Sequence, residues 1–174
     1  KNETKAFAWM YKAALKKYSR AYYYTGYMYE IGYGVSIDYK EAMKWYIKAA
    51  SEGSIEAQIN IGWMYHNGLG VSVDYKEALY WYRKAASEGC IEAQNNIGWM
   101  YHNGLGVSVD YKQAMDWYMK AAESRNPLSQ DNIGDLYHYG MGVSKNILTA
   151  IEWHKKAAAG WDKDAPYNLG YIYE

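Results

Sequence analysis

Histidine recurs at a fixed interval in this chain, because His66, His102 and His138 lie 36 residues apart. Imidazole nitrogens are common ligands of transition metals and also act as general bases. A shared zinc ion needs its ligand nitrogens about 2 Å away. Equivalent residues on stacked helices are separated by about 8–10 Å instead. We therefore predict no metal site, and we interpret the three histidines as surface residues at helix ends.

The one cysteine, Cys90, is a second candidate for chemistry. A thiol becomes a nucleophile when a nearby base, a cation or a helix N-terminus lowers its pKa. No neighbouring base is identifiable from the sequence, and the equivalent position one interval earlier is Ser54. We interpret Cys90 as a small residue at a helix start. We predict no catalytic residue and no cofactor, and we expect that the chain is not an enzyme.

A third group of side chains suits binding rather than catalysis. Asparagine offers both a donor and an acceptor to an extended peptide, and exposed aromatic rings can grip apolar side chains. The predicted partner-binding residues, which recur at the same interval, are Tyr23, Tyr27, Asn60, Trp63, Asn96, Trp99, Asn132, Asp135 and Asn168. A neighbouring column, also predicted to be exposed, contains Tyr23, Ile59, Asn95, Asp131 and Tyr167.

Each of these assignments has a structural alternative. The asparagines could bridge neighbouring helices instead of contacting a peptide, because most repeated residues serve packing. Trp63 and Trp99 could equally pack between repeats.

The 36-residue interval extends through the whole chain. The phrase NIGWMYHNGLGVSVDYK begins at both Asn60 and Asn96, and 27 of 32 positions are identical between 55–86 and 91–122. A glycine column comprises Gly26, Gly62, Gly98, Gly134 and Gly170, and a tryptophan column comprises Trp9, Trp45, Trp81, Trp117 and Trp153. A fixed period of this length is typical of stacked-repeat proteins.

Each repeat is predicted to contain two helices. Helix A spans about 55–66 and ends at Asn67-Gly68. Helix B begins after Asp74, with Glu77 three residues later as in a capping box, and ends near 87–89. A glycine inside a helix costs about 1 kcal/mol relative to alanine. We therefore predict that a neighbouring backbone or a bulky tryptophan lies against Gly62.

The repeats are predicted to form a single array over 1–174. It consists of a partial unit 1–18, repeats at about 19–53, 54–89, 90–125 and 126–161, and a partial unit 162–174. A helix B at about 3–16 would open the array and a helix A at about 163–174 would close it. Neither end carries the polar cap that an isolated array usually needs, so we expect a segment of a longer protein.

Composition narrows the class of partner. Nineteen basic and nineteen acidic residues give a formal net charge of zero, which argues against a nucleic-acid partner. No run of about 18 apolar residues is present, so we expect no membrane insertion. The lone cysteine and the lack of a basic, apolar leader favour a cytoplasmic location.

The repeated residues resemble the Sel1-like repeat family, which is related to the tetratricopeptide repeats. In one repeat the matching residues are Ala57, Ile61-Gly62, Tyr65, Gly68, Gly70-Val71, Asp74-Tyr75, Ala78, Trp81-Tyr82, Ala85-Ala86 and Gly89. The last repeats depart from the pattern at Arg125, Asn146-Ile147 and His154. These departures bear on local capping and leave the fold expectation unchanged.

The resemblance implies an all-α, right-handed α-α superhelix (a solenoid) of 36-residue helix-turn-helix repeats, with the A helices lining a concave face. It also implies a scaffold or adaptor that binds a peptide or partner protein. Five stacked A helices would form a groove roughly 35–40 Å long, enough for about a dozen extended residues. The alternatives are a structural spacer without a ligand and a β-lactam-binding hydrolase-type activity. β-Lactam binding is linked to a disulfide-rich branch of the family, which this chain, with one cysteine, does not resemble.

Overall fold

The computed structural model describes residues 2–160, and α-helices are the only regular secondary structure in this part of the chain. In chain order they are α1 (Asn2–Leu15), α2 (Ser19–Ile31), α3 (Tyr39–Ser51), α4 (Ile55–Asn67), α5 (Tyr75–Ser87), α6 (Ile91–Asn103), α7 (Tyr111–Glu123), α8 (Pro127–Tyr139) and α9 (Ile147–Gly160). The even-numbered helices are the A helices and the odd-numbered ones are the B helices. The fold is therefore an all-α helical-repeat solenoid, as the period predicts. The closing helix predicted at about 163–174 lies outside the described residues.

The chain divides into two compact units, Lys1–Glu88 and Gly89–Glu174. Helix A packs on the helix B that follows it, so α2 pairs with α3 and α4 with α5 in the first unit. In the second unit, α6 pairs with α7 and α8 with α9. Within the described range, every helix is too short or too polar to cross a membrane.

The B helices begin at side-chain caps. Asp38, Asp74 and Asp110 each accept a hydrogen bond from the backbone amide three residues later, over 3.0 or 3.1 Å. Asn146 accepts the equivalent bond from Thr149 over 3.1 Å. An N-cap of this kind satisfies an amide that has no partner inside the helix. The predicted helix starts are confirmed, and the change from aspartate to asparagine preserves the cap.

The turn after helix B requires a left-handed backbone. Gly53 and Gly89 have φ values of 87° and 84°, and at either one a Cβ would meet no atom within 4 Å beyond the glycine and its two neighbours in the chain. Arg125 occupies the same place with φ of 59°. An L-residue tolerates this conformation at a cost of roughly 1–2 kcal/mol. Arginine in place of glycine at position 125 therefore raises the free energy of the turn but leaves its geometry unchanged.

A glycine and an aromatic ring bring each A helix close to its B helix. A Cβ on Gly62 would lie 2.7 Å from the Tyr82 ring, and one on Gly98 would lie 2.6 Å from the Tyr118 ring. The predicted neighbour of Gly62, a backbone or a tryptophan, was therefore wrong. Trp81 is only half-buried, and Lys84 Nζ lies 5.2 Å from the centre of its ring.

Each unit buries its own apolar core. In the first unit, Tyr46, Ile61 and Met64 are fully buried. In the second unit, Ile133 and Leu136 are fully buried beside the Tyr118 ring. Complete burial of a large aliphatic side chain contributes about 1.5–3 kcal/mol. One face of each A helix is thus packed against its B helix. The opposite face of the A helix is left towards solvent.

Candidate protein-binding surface

The predicted binding residues lie on one face of the A helices, since positions three or four apart share a helix face. We call this surface the A face. Within the first unit it comprises Tyr23, Tyr27, Asn60 and Trp63, and within the second unit it comprises Asn96, Trp99, Asn132 and Asp135. The ninth predicted residue, Asn168, lies outside the described residues.

Large aromatic side chains are partly exposed on the A face. Tyr27 and Trp63 are 42% exposed and Trp99 is 41% exposed. The last turns of two helices are held locally, because Asn67 and Asn103 each donate a hydrogen bond over 2.8 Å to the carbonyl four residues earlier. The two tryptophan rings therefore project from hydrogen-bonded helix ends. Their exposed area is large enough to contact a partner.

Tyr23 belongs partly to the core of the first unit. Its ring centre lies 5.7 Å from that of Tyr46 and 5.4 Å from that of Tyr24, and it stacks on Tyr27 at 6.4 Å. Burial, followed by the nearby Glu56 carboxylate, raises the pKa of the Tyr23 phenol. The group therefore stays protonated and can donate a hydrogen bond. Of this aromatic cluster, Tyr24 and Tyr27 present most of the accessible surface.

A carboxylate joins two A helices in the first unit. The hydroxyl of the fully buried Tyr46 donates a hydrogen bond to Glu30, and the Asn60 amide donates to the same Glu30 oxygen over 3.4 Å. Burial and the hydrogen bond to Glu30 both raise the Tyr46 pKa. Asn60 thus bridges α4 to α2, in line with the structural alternative. Sequence reasoning missed Glu30, although the next three residues of its 36-residue column are all histidines, at His66, His102 and His138.

The second unit has a different polar link between its A helices. Asn95 is only 8% exposed, so its predicted exposure was wrong. Its side-chain oxygen accepts hydrogen bonds from the Ser129 hydroxyl over 2.8 Å and from the Asn132 amide over 3.4 Å. A buried amide needs such partners, and these two lie more than thirty residues along the chain. Among the described residues, the Asn96 amide has no comparable bond.

Two carboxylates and a histidine form a cluster at the end of the second unit. His154 is buried against Gly134, and its Nδ1 lies 2.7 Å from an Asp131 oxygen. Its Nε2 lies 3.8 Å from Asp135. The hydrogen bond to Asp131 raises the His154 pKa despite the opposing effect of burial. Burial, with the charge of Asp131 next, raises the Asp135 pKa.

The sequence departs from the repeat pattern at this cluster, and from the sequence alone we predict only a change in local capping. His154 replaces the second aromatic residue of the repeat, and Asp131 and Asp135 replace apolar or amide residues of earlier repeats. In the structure, oxygens of both aspartates lie within 3.8 Å of the buried imidazole, which needs polar partners.

We predicted that the recurring histidines are surface residues, but the structure shows that they are half-buried. The His66 ring centre lies 5.3 Å from that of Tyr75, and the His102 ring centre lies 5.3 Å from that of Tyr111. Burial lowers the pKa of both histidines, which favours their neutral forms. Within residues 2–160, no group of three histidine, cysteine, aspartate or glutamate side chains could hold a metal ion.

A pocket of about 420 Å³ lies in the first unit between α2 and the turn from α3 to α4. Its polar lining includes Arg20, Tyr23, Tyr24, Glu52 and Glu56. Both signs of charge are present, and hydroxyl groups supply further donors and acceptors. The pocket suits a polar segment of a ligand at the edge of the A face.

The repeats match a known family from one end of the described chain to the other. Five Sel1 repeats match residues 1–18, 19–54, 55–90, 91–126 and 127–160. The chain belongs to the Sel1 repeat family. The family is generally of a non-catalytic scaffold type, and its members generally mediate protein–protein interactions. The resemblance seen in the sequence is thereby confirmed.

Two solved Sel1 structures are similar to this chain over nearly its whole length. A protective antigen of uropathogenic Escherichia coli strains, which displays an SLR fold, is 37% identical with a TM-score of 0.87 over 97% of this chain. A Sel1 repeat protein from Oxalobacter formigenes is 36% identical with a TM-score of 0.87 over 98% of this chain. The chain spans 36% of the first protein's length and 70% of the second's.

More distant similarity extends to Helicobacter pylori cysteine rich protein B. It is 24% identical with a TM-score of 0.52, and the similarity covers 64% of this chain and 86% of that protein. At this identity the likeness concerns the fold alone. No curated protein matches the chain significantly.

Proposed function

We propose that this Sel1 repeat chain is a protein-binding scaffold that holds a partner polypeptide on the A face of its units. The observation that carries the proposal is the set of large, partly exposed rings on ordered A helices: Tyr27, Trp63 and Trp99. Aromatic residues of this kind dominate the energetics of protein interfaces, because they bury a large area with little loss of side-chain freedom. The proposal assigns no catalytic residue to the chain.

The polar groups of the A face have separate roles in this proposal. Asn60 and Asn132 hold neighbouring A helices together through the hydrogen bonds described above. Asn96 keeps its amide for the partner, where it can both donate to and accept from a peptide backbone. Fixing some of these amides within the scaffold lowers the entropy lost when the partner binds.

The test is selection of binders from a randomised dodecapeptide library on the full chain, followed by calorimetric titration of the synthesised peptides. We expect Trp63→Ala or Trp99→Ala to weaken binding by about tenfold or more, as loss of an interface anchor does. Helicity and Tm should change little, because both rings are partly exposed. The matched control is Tyr80→Ala, which removes an exposed ring from the B helix α5.

Two outcomes would count against the proposal. If the Tyr80 variant loses as much affinity as the tryptophan variants, the A face is not the binding surface. If no peptide is selected at any step, the chain is better described as a structural spacer.

A further inference from the structure

The pocket between α2 and the turn from α3 to α4 is lined by charges that no other described side chain neutralises. In the part of the chain that the structure describes, the Arg20 guanidinium and the Glu52 carboxylate make no hydrogen bond and no ion pair. Glu56 accepts one hydrogen bond, over 3.0 Å from the Ser54 hydroxyl. All three charged side chains are exposed, so a ligand can reach them. The cavity of about 420 Å³ falls within the usual range of small-molecule sites, about 300–1,000 Å³.

The α2 side of the pocket suits an anion. Ser19 and Arg20 line the cavity and are the first two residues of α2. The first amides of a helix have no partner inside it, and the N-cap residue Tyr18 makes no side-chain cap bond to them. The positive end of the helix adds to the charge of the guanidinium. A carboxylate fits both, because a guanidinium binds it through two parallel hydrogen bonds.

The side of the pocket formed by the α3–α4 turn suits cations. Glu52 lies at the end of α3 and Glu56 lies in the first turn of α4. Together with the one guanidinium, these two carboxylates leave a net charge of minus one around the cavity. The rings of Tyr23 and Tyr24 also line it, and Tyr24 is 49% exposed. The face of a phenol ring attracts a cation. A ligand that matches this lining carries one anionic group and two cationic groups.

We propose that this pocket binds a free α-amino acid with a basic side chain, such as lysine or arginine. The α-carboxylate pairs with Arg20 at the start of α2, and the α-ammonium and the side-chain cation pair with Glu52 and Glu56. The aliphatic part of the side chain lies along the tyrosine rings, because long cationic side chains bury their stems against apolar surface. This small-molecule site goes beyond the proposed function, since its ligand is not part of the partner polypeptide.

The same combination of side chains does not recur in the next repeat. Thirty-six residues after Arg20 the residue is Glu56, and the two tyrosines are replaced by isoleucine and asparagine. The carboxylate of Glu52 is retained there as Glu88. A ligand carboxylate would meet like charges at that place. We therefore expect one binding site per chain.

The test is isothermal titration calorimetry of the full chain with free L-lysine and with three analogues that each lack one charged group. Norleucine lacks the side-chain ammonium, lysinamide lacks the carboxylate and Nα-acetyllysine lacks the α-ammonium. We expect one lysine to bind per chain. Each analogue should bind about tenfold or more weakly, because each loses a charge-assisted hydrogen bond.

Substitutions in the pocket test which protein group meets which ligand group. Arg20→Gln should weaken lysine binding by about tenfold or more, and lysine and lysinamide should then bind nearly alike. Glu52→Gln and Glu56→Gln should weaken lysine binding to a similar extent. Glu88→Gln is the matched control, because it removes the equivalent carboxylate from the next repeat and should leave lysine binding unchanged. All four side chains are exposed, so helicity and Tm should match those of the parent chain.

Four outcomes would overturn the amino-acid site. Lysine could give no saturable heat, or norleucine could bind as tightly as lysine. If Nα-acetyllysine binds as tightly as lysine, the pocket instead recognises the C-terminal residue of a polypeptide. If Arg20→Gln keeps the preference for lysine over lysinamide, the carboxylate does not meet this guanidinium. In each case the scaffold proposal stands, because its own test depends on the tryptophans of the A face.

Discussion

The side chain that lies against the glycine of helix A is Tyr46, Tyr82, Tyr118 or His154, depending on the repeat. Each ring fills the space left by a missing Cβ, so the apolar requirement is the same in every repeat. The polar end differs: Tyr46 meets Glu30, whereas His154 meets Asp131. The polar contacts can therefore differ between repeats at this column, while the packing of the ring against the glycine stays the same.

The Asp131–His154 pair should make stability depend on pH. The folded pKa of His154 is raised, so its contribution is fully present below the unfolded value of about 6.5 and is lost as pH rises through the folded pKa. Asp131→Asn should therefore destabilise the chain more at pH 5.5 than at pH 9. Denaturant unfolding at both pH values measures this difference. An equal loss at both values would show that His154 does not carry the positive charge.

Cys90 offers a simple gain in stability. It occupies the N-cap position of α6 without a side-chain cap bond, whereas Ser54 accepts a hydrogen bond from the Ala57 amide over 3.2 Å at the start of α4. Cys90→Ser should stabilise the chain by about 0.5–1 kcal/mol by adding the missing cap. Urea unfolding measures the change, and Ser54→Cys should give a loss of similar size. A neutral result for both would mean that this cap contributes nothing to stability.

At the scale of the helix, boundaries were predictable because their signals are local. A helix predicted at about 3–16 is Asn2–Leu15, and one predicted at about 55–66 is Ile55–Asn67. Caps and terminal glycines lie within a few residues of the ends that they define. The surroundings of the A face were less predictable. The buried amide of Asn95 needs its hydrogen bond from Ser129, and the buried hydroxyl of Tyr46 needs its hydrogen bond to Glu30. Each bond joins two separate helices, so it follows from how those helices pack and not from a local signal.

The close contact between each A helix and its B helix gives a second stability prediction. Alanine normally favours a helix by about 1 kcal/mol over glycine. At Gly62 the added methyl would lie 2.7 Å from the Tyr82 ring, so Gly62→Ala should instead destabilise the chain by about 1–3 kcal/mol. Thermal or denaturant unfolding measures the loss.

Gly89→Ala is the control for this variant. It has open space around the new methyl but a φ of 84°, so it tests backbone strain without a clash. A roughly 1 kcal/mol loss is expected there. If Gly62→Ala is stabilising, the two helices separate easily and the ring does not fix their distance.

On the scale of the whole molecule, stability should be distributed rather than central. Repeat proteins behave approximately as a sum of repeat stabilities and nearest-neighbour terms. Ile133→Ala, at a fully buried position of α8, should cost about 2–5 kcal/mol locally. Hydrogen exchange should accelerate most in α7, α8 and α9 and least in α2 and α3. An equal acceleration in both units would indicate one cooperative body instead.

The near identity of two repeats has a consequence for refolding. Helices α4 and α6 differ at one position only, Ile59 against Asn95, and both end in the same residues. In an unfolded chain, α4 can therefore dock onto α7 almost as well as onto α5. The residues between α4 and α7, about one repeat in length, would then be left as an unfolded loop. Such a mispaired species would satisfy the same glycine and ring contacts and would have to come apart before folding could finish. Slow refolding phases caused by this duplication should disappear when substitutions make the sequence of one repeat different from that of the other.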